Sequence, residues 1–270
     1  MNIYFCFPNG KTKALTMSYD DAKFQDKKLV SIFNKYGIKC TFNVNYGRLG
    51  KAPILSREEI VSLYQGHEIA THTLNHPVIG RCPLPRVAEE ILEDRKGLEN
   101  LTGRLIRGHA YPNGSYNKEI QTLLQGLGIA YGRVVKSNPS FELPDNPMEW
   151  YPTCHHSDPQ LMEYGKFFVD YSKKQYLKLM YVWGHSYEFD RNEGGNDWEK
   201  IEEFCKLMGG KSDIWYATNI EIIDYLQAAK NLHYTASADA VYNPSSQSVW
   251  LVIDGNKIVE AKSGRLTKLI

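Results

Sequence analysis

Strand-like and helical patterns alternate along most of this chain, and that alternation restricts the folds open to it. A helical pattern over residues 29–36 ends at Gly37 and leads into a strand pattern over residues 38–44. The same order recurs, with further strands predicted at 13–19, 68–70, 104–111, 129–135, 177–183 and 214–217, and further helices at 57–65, 84–101, 117–127, 197–208 and 219–232. Repeated β–α winding of about seven strands predicts an α/β fold, a distorted and incomplete (β/α)7 barrel, with a flat doubly wound sheet as the second choice.

Two neighbouring carboxylates, Asp20 and Asp21, close the first of these strands. Parallel α/β folds build their sites at the C-terminal ends of strands. Because a confined site does not readily ionise two adjacent acids, we expect one to bind a cation and the other to act as a base. The simpler explanation is a pair of acids at the start of a helix, where the helix dipole favours them without any site.

Two histidines, His72 and His76, follow the strand predicted at residues 68–70 with i,i+4 spacing. One helical turn would place both imidazoles on the same face. Together with one carboxylate they suit a divalent transition metal that keeps open positions for water and substrate. Two further motifs, at residues 110–114 and 182–185, also close predicted strands, and this ordered series indicates one shared site.

In these motifs the chain resembles the polysaccharide deacetylases, the carbohydrate esterase family with the NodB-homology domain, over about residues 10–230. The family's first motif, Thr-Phe-Asp-Asp-Gly, is matched by residues 18–22, and its second, His-Ser/Thr-x-x-His, by residues 72–76. The resemblance implies that Asp20 is the general base and that Asp21, His72 and His76 bind the metal. The expected cofactor is one divalent transition metal, zinc before cobalt, nickel, iron or manganese.

The third motif of the family, Arg-x-Pro-Tyr-Gly, is only partly met, because residues 110–114 read Ala-Tyr-Pro-Asn-Gly and lack the arginine that buttresses the base. We expect Arg133, at the end of the next strand, to replace it in preference to Arg107. The same alignment implies that the backbone N–H of Asn113 faces the developing oxyanion.

The fifth motif, Leu-x-x-His in the family, corresponds to residues 182–185 and makes His185 the expected general acid. The fourth motif, which supplies an Asp and a Trp near that histidine, has only a loose counterpart at residues 145–150, so no orienting carboxylate is assigned. A neighbouring pair, His155 and His156, follows Cys154 in a predicted loop, where solvent-facing histidines are the commoner case.

The resemblance implies a hydrolase of carbon–nitrogen bonds other than peptide bonds. Such an enzyme would remove acetyl groups from N-acetylated or O-acetylated sugars in oligo- or polysaccharides, by activating water at the metal with an Asp base and a His acid. Two alternatives remain open at this point. One is a hydrolase of small non-peptide amides on the same barrel, and the other is a catalytically weak sugar-binding relative.

Composition narrows the choice of partner. The formal net charge of +1, from 32 basic and 31 acidic residues, gives no electrostatic reason to expect nucleic acid or an anionic membrane. No stretch approaches transmembrane length. An acetylated carbohydrate fits this neutrality better, and the sequence is silent on the oligomeric state.

The expected location is the cytoplasm. The five cysteines are odd in number and widely scattered, which favours reduced thiols over a disulfide framework. Residues 1–8 lack both the basic and the apolar region of a signal peptide, so secretion is not expected unless a leader has been removed.

A different pattern begins near His233. Period-two segments at residues 249–253 and 257–261 flank an Asp-Gly turn, which is typical of a β-hairpin. We therefore expect a barrel domain over residues 1–235 and a small β-hairpin appendage, residues 236–270, packed on it.

Overall fold

The computed structural model describes all residues from 1 to 270. Its strands are β1 Ile3–Cys6, β2 Lys13–Asp20, β3 Cys40–Val44, β4 Glu68–Thr71, β5 Gly108–Ala110, β6 Tyr131–Arg133, β7 Cys154–His155, β8 Lys178–Gly184, β9 Ile214–Tyr216, β10 His233–Tyr234, β11 Ala240–Asn243, β12 Val249–Ile253, β13 Lys257–Ala261 and β14 Arg265–Lys268. Its α-helices are α1 Asp26–Lys35, α2 Arg57–Leu63, α3 Leu84–Thr102, α4 Lys118–Gly126, α5 Leu161–Asp170, α6 Glu188–Arg191, α7 Trp198–Met208 and α8 Asn219–Lys230.

The main sheet is parallel and curls into an incomplete barrel. Its strands follow the order β6-β5-β4-β3-β2-β8-β7, and β9 pairs with the first half of β2. The segment from Trp150 to His155 nearly closes the curl, because Trp150 bonds to β6 and β7 bonds to β8. The predicted incomplete (β/α)7 barrel is confirmed, and the flat doubly wound sheet is excluded.

Parallel winding brings the sequence motifs to one edge of the sheet. Asp20 is the last residue of β2, and Arg133 is the last residue of β6. His72 follows β4, and His185 follows β8. Because all of these strands run in the same direction, residues far apart in the chain meet at their C-terminal ends, as in other barrels.

The helices pack their apolar faces against the outside of the sheet. The largest core cluster lies between β2, β3 and the helices α1, α2 and α7, and includes Leu29, Phe33, Phe42 and Phe204. A capping box begins α2, since Ser56 accepts from the Glu59 backbone N–H and Glu59 accepts from the Ser56 N–H. None of the helices is both long enough and apolar enough to cross a membrane.

The two ends of the chain share a sheet, which the sequence did not indicate. The predicted hairpin of β12 and β13 is present, and β1 pairs antiparallel with β12 on its other side. A second three-stranded sheet follows the order β10-β11-β14. The C-terminal region is therefore larger than a hairpin, and β1 belongs to its sheet instead of to the barrel. The domain boundary at residue 235 stays a prediction.

Other elements also differ from expectation. The strand predicted at 104–111 is reduced to β5, because α3 ends in a left-handed Gly103 and the residues after it turn outward, with Leu105 largely exposed. Helix α5 and strand β7 were not predicted. The five cysteines are all unpaired, and four of them are buried.

A close approach between α3 and the loop after β3 yields a stability prediction. A Cβ on Gly97, inside α3, would lie 2.3 Å from the ring of Tyr46, so Gly97→Ala should lower the free energy of unfolding by about 1–3 kcal/mol through overpacking. The matched change Gly126→Ala meets nothing within 4 Å and should instead stabilise by about 0.4–1 kcal/mol. Urea unfolding of both variants checks this, and equal midpoints would contradict it.

Candidate active site

The adjacent acids Asp20 and Asp21 have different environments. Asp20 is buried, and its Oδ2 accepts a hydrogen bond from the guanidinium of Arg133. Its Oδ1 accepts from the side-chain amide of Asn43 at 2.8 Å. The Nε2 atoms of His72 and His185 each lie 3.9 Å from Asp20 Oδ2. Both oxygens of Asp20 are thus engaged by the protein, with two imidazoles at its edge.

Asp20 is held as a carboxylate. Burial acts to raise its pKa, but the charge of Arg133, assisted by His72 and His185, outweighs burial and holds the pKa well below its usual range. The carboxylate is therefore in the ionised form that a general base requires.

The backbone conformation of Asp21 directs its side chain away from Asp20 and Arg133. Its φ of 78° lies in the left-handed region, which residues other than glycine rarely adopt. The carboxylate reaches Arg48, with Oδ1 3.5 Å from Nη1, and Lys23, with Oδ2 3.6 Å from Nζ. Oδ1 also lies 4.0 Å from His76 Nε2. The chain turn therefore separates the environments of two acids that are adjacent in sequence.

His72 and His76 meet, but the predicted helical turn is wrong. Residues 72–76 form a loop after β4, with positive φ at Thr73 (66°) and His76 (63°). Their imidazole centroids are nevertheless 4.8 Å apart. The left-handed residues fold the loop back on itself. The two imidazoles therefore come together without the helical turn that their spacing predicted.

Two buried carboxylates on α3 hold this loop in place. Asp94 accepts from the backbone N–H of His72 at 3.2 Å and from that of Tyr46 at 2.6 Å, and it also pairs with Thr71. Glu90 accepts from the N–H and side-chain amide of Asn75 at 2.8 and 3.0 Å. Sequence reasoning missed both acids, although two acids with i,i+4 spacing on the buried face of a helix are a usable signal.

The cluster of Asp21, His72 and His76 fits a divalent transition metal. Their ligand atoms all lie within 4.8 Å of one another. His72 Nδ1 lies 2.8 Å from the Ala110 carbonyl, which can only accept, so Nδ1 carries the proton and Nε2 offers its lone pair. Burial lowers the pKa of His72 to about 4, which keeps the imidazole neutral as a ligand must be.

Arg133 reaches Asp20 across the barrel interior. Its side chain is fully buried, and its guanidinium lies 4.4 Å from the centroid of the Trp183 ring. Its Nε and Nη1 have no hydrogen-bond partner. The alternative, Arg107, is partly exposed and pairs with Asp224 instead. The structure therefore places Arg133, and not Arg107, beside the acid at the end of β2.

Asn113 lies in a short turn, Pro112–Gly114, directly after β5. Its φ of 55° and ψ of 17° are left-handed, and its backbone N–H has no hydrogen-bond partner within the protein. The same segment supplies the Ala110 carbonyl that fixes His72. A free donor is thus held on the loop that orients one of the histidines.

His185 has an orienting carboxylate that the sequence did not identify. Its Nδ1 lies 3.3 Å from Glu188 Oε1, and Glu188 Oε2 accepts from the backbone N–H of His185 at 3.2 Å. Burial lowers the pKa of His185, but contact with Glu188 and the charge of Asp20 outweigh it and raise the pKa above its usual value. The expected fourth-motif region supplies no such acid, because Asp145 is exposed and Trp150 is buried against β6.

The expectation of solvent-facing histidines at 155 and 156 is wrong. His156 is fully buried, and its Nε2 lies 2.8 Å from Glu188 Oε2. His155 Nε2 lies 3.2 Å from the same oxygen. The cause is β7, which pairs with β8 and inserts His156 over Gly184, where a Cβ would lie 2.1 Å from its Nδ1. Three imidazoles therefore surround Glu188.

Comparison with known proteins finds similarity to one family of enzymes. A family described as polysaccharide deacetylase matches residues 8–132. A chitooligosaccharide deacetylase from Bradyrhizobium is 23% identical over a match covering 44% of this chain and 54% of that protein. A peptidoglycan-N-acetylglucosamine deacetylase from Listeria monocytogenes is 25% identical, with coverage of 42% and 24%. The chain thus spans about half or less of the length of these curated relatives.

The fold has a counterpart among solved structures. The crystal structure of a protein from Mycobacterium smegmatis superposes with a TM-score of 0.62 at 17% identity, covering 83% of this chain and 93% of that one. The fold, the matched family and the order of the motifs agree. Residues 8–132 of the chain are thus similar to the polysaccharide deacetylase family, and the chain shares its fold with the Mycobacterium smegmatis protein.

The Asp20–Arg133 pair yields a test of site stability. Arg133→Met leaves a buried carboxylate without its partner and should lower the free energy of unfolding by about 3–5 kcal/mol at pH 7, measured with a chelator present. The matched change Arg48→Met, at a partly exposed arginine beside Asp21, should cost at most about 1 kcal/mol.

The pH dependence of that loss follows from the lowered pKa of Asp20. A lowered pKa stabilises the wild type above roughly pH 4, the usual value for Asp, and this contribution is lost as the pH falls further. In Arg133→Met the uncompensated acid takes up a proton more easily, so the two proteins should converge in stability in acid. A gap that is small at pH 7, or that widens in acid, would contradict this account.

Proposed function

We propose that this chain is a metal-dependent hydrolase that removes acetyl groups from N-acetylated or O-acetylated sugars in oligo- or polysaccharides. In this proposal Asp21, His72 and His76 bind the metal, Asp20 is the general base and His185 is the general acid. The observation that carries it is the separation of the two adjacent acids, one held by Arg133 and the other beside two neutral imidazoles. The names of the relatives, both deacetylases of N-acetylated sugars, support the substrate class.

Asp20 prepares the nucleophile. A divalent cation, when bound, supplies Lewis acidity, which makes a water molecule more acidic and polarises a carbonyl. Asp20 is outside the proposed ligand set, and its lowered pKa keeps it ionised near neutral pH, which is the form that a general base requires. Arg133 and Asn43 fix the orientation of this carboxylate, so the base is in place before substrate binds.

Asn113 and His185 act on opposite sides of the scissile bond. The unpartnered N–H of Asn113 donates to the developing oxyanion, a contribution of about 3 kcal/mol for a single donor in comparable sites. His185 donates a proton from Nε2 to the leaving nitrogen or oxygen, because an unprotonated amine is a poor leaving group. Glu188 Oε1 lies 3.3 Å from Nδ1 of His185, and its negative charge stabilises the charged form of the imidazole. The products are acetate and a free amine or hydroxyl.

The side-chain exposures suit a polymeric substrate. Asp20 and His72 are 3% and 2% exposed, whereas His76 and His185 are 22% and 21% exposed. The base therefore lies at the bottom of the site, and the leaving-group side faces solvent. An acetyl group can enter while the rest of a sugar chain stays outside, which supports an acetylated sugar over a small amide buried whole.

Acetate release tests the proposal directly. The purified chain, reconstituted with one equivalent of Zn²⁺, should release acetate from N-acetylglucosamine oligomers, and acetylated xylan distinguishes an O-acetyl preference. Hydrolysis of small amides or cyclic ureides without acetate release would replace the substrate class. Binding of the oligomers without turnover would make the chain a sugar-binding relative.

The adjacent acids offer a matched pair of variants. Asp20→Asn should retain the bound metal and lose turnover by at least about a hundredfold, because it removes the base. Asp21→Asn should instead weaken Zn²⁺ binding by at least about tenfold, since a neutral amide is a poorer zinc ligand. Zinc content after dialysis and acetate release check both. Identical behaviour of the two variants would remove the proposed division of roles.

The role of Glu188 predicts a shift in the pH profile. Its carboxylate raises the pKa of His185, so the acid stays protonated to higher pH in the wild type. In Glu188→Gln the alkaline limb of kcat should move to lower pH, while the matched change at the exposed Asp190 on the same helix leaves the limb in place. An unchanged limb in Glu188→Gln would show that this carboxylate does not tune the acid.

A further inference from the structure

A second group of metal-ligating side chains lies beside the first. We propose that His155, His185 and Glu188 form a second, weaker site for a divalent transition cation, and that its occupancy switches the enzyme off. The cation site itself stands on the geometry of these three residues, whereas the inhibitory effect rests on the proposed function.

The distances fit zinc. His155 Nε2 and His185 Nδ1 lie 3.2 and 3.3 Å from the two oxygens of Glu188. Ligands at ordinary Zn–N and Zn–O lengths in a tetrahedron are about 3.3–3.5 Å apart. One ligand atom from each of the three residues lies within 4.8 Å of the other two, so small side-chain movements would bring all three to bonding distance of one cation.

The surroundings of the group favour neutral imidazole ligands. The backbone N–H of Ser157 donates to His155 Nδ1 at 3.2 Å, so in the metal-free protein the neutral imidazole carries its proton on Nε2, facing Glu188, and releases it when Nε2 binds a cation. His185 Nδ1 is buried and has no hydrogen-bond partner of good geometry. His156 is completely buried, its Nε2 is likewise unpartnered and points at the Glu188 carboxylate, and Tyr19 lies 3.1 Å from its Nδ1. The imidazoles of His155 and His156 both lie close to Oε2 of Glu188.

The two sites share no ligand, but the second uses the proposed acid. Only His185 links them, through its Nε2 near Asp20 and its Nδ1 near Glu188. An imidazole that binds a cation through Nδ1 is neutral and cannot also be the charged acid. Occupancy of the second site therefore displaces the Nδ1 proton of His185 and leaves a neutral ring, whose Nε2–H is far less acidic than that of the imidazolium, and it also occupies Glu188. A first cation activates, and a second inhibits.

The test counts cations and does not depend on activity. The full chain, freed of metal, is dialysed against rising concentrations of Zn²⁺ alone and analysed for bound zinc. The wild type should reach two zinc ions per chain. His155→Gln, at a partly exposed histidine outside the proposed mechanism, should reach one, and so should His76→Gln at the first site. The matched control His233→Gln, an exposed histidine in β10, should still reach two.

Each outcome decides the proposal. The proposal of a second site is overturned if the wild type binds only one zinc ion and His155→Gln still binds that ion. It is also overturned if His155→Gln binds two zinc ions. Two ions in the wild type, with one lost in each site variant, support it whether or not any acetate is released. If the first site does not bind zinc but the second does, His76→Gln binds as much zinc as the wild type and His155→Gln binds none.

The inhibitory effect is read separately. Acetate release should rise with the first equivalent of Zn²⁺ and fall at least tenfold as the second site fills, in keeping with loss of a general acid. His155→Gln should keep the first phase and lose the second. Inhibition that persists in His155→Gln would overturn the switch while leaving the deacetylase proposal intact.

Discussion

The site depends on one buried ion pair, Asp20 with Arg133. A carboxylate without solvent is costly to ionise, and a guanidinium without solvent is costly to leave unpaired. Each compensates the charge of the other, and together they place an ionised carboxylate, the proposed base, in the interior of the barrel. The pair also connects β2 with β6, strands separated by three others in the sheet. Arg133 also packs on Trp183 of β8, so its side chain connects β2, β6 and β8 close to the candidate active site.

The proposed metal-binding group depends on that pair indirectly. With Asp20 engaged by Arg133 and Asn43, only Asp21 is available to join His72 and His76. The positive φ of Asp21 and the left-handed residues of the histidine loop position these ligands, and α3 anchors the loop through Glu90 and Asp94. On the other side of Asp20, Glu188 gathers His155, His156 and His185. Asp20 thus lies between two groups of imidazoles that have different carboxylate partners.

Much of this could be predicted from local sequence, and the remainder required the fold. Asp20, Asp21, His72, His76 and His185 all stand in short motifs at strand ends, where parallel winding guarantees a common edge. Arg133 was reachable by the same reasoning, since it ends a strand. Glu188 and His156 were not, because their contact depends on β7, a two-residue strand, and on the space over Gly184. Helix α5 was missed because Gly165 weakens its propensity, while packing against Phe204 and Leu207 favours a glycine there. The pairing of β1 with β12 joins opposite ends of the chain and has no local signal.

The most direct test of the central claim is a crystal structure of the zinc-loaded chain with anomalous diffraction recorded on both sides of the zinc absorption edge. At one equivalent of zinc the account predicts a single anomalous peak bound by Asp21, His72 and His76, with Asp20 unligated and still hydrogen-bonded to Arg133. A peak ligated by Asp20, with Arg133 displaced from its carboxylate, would contradict the claim that these adjacent acids have separate roles.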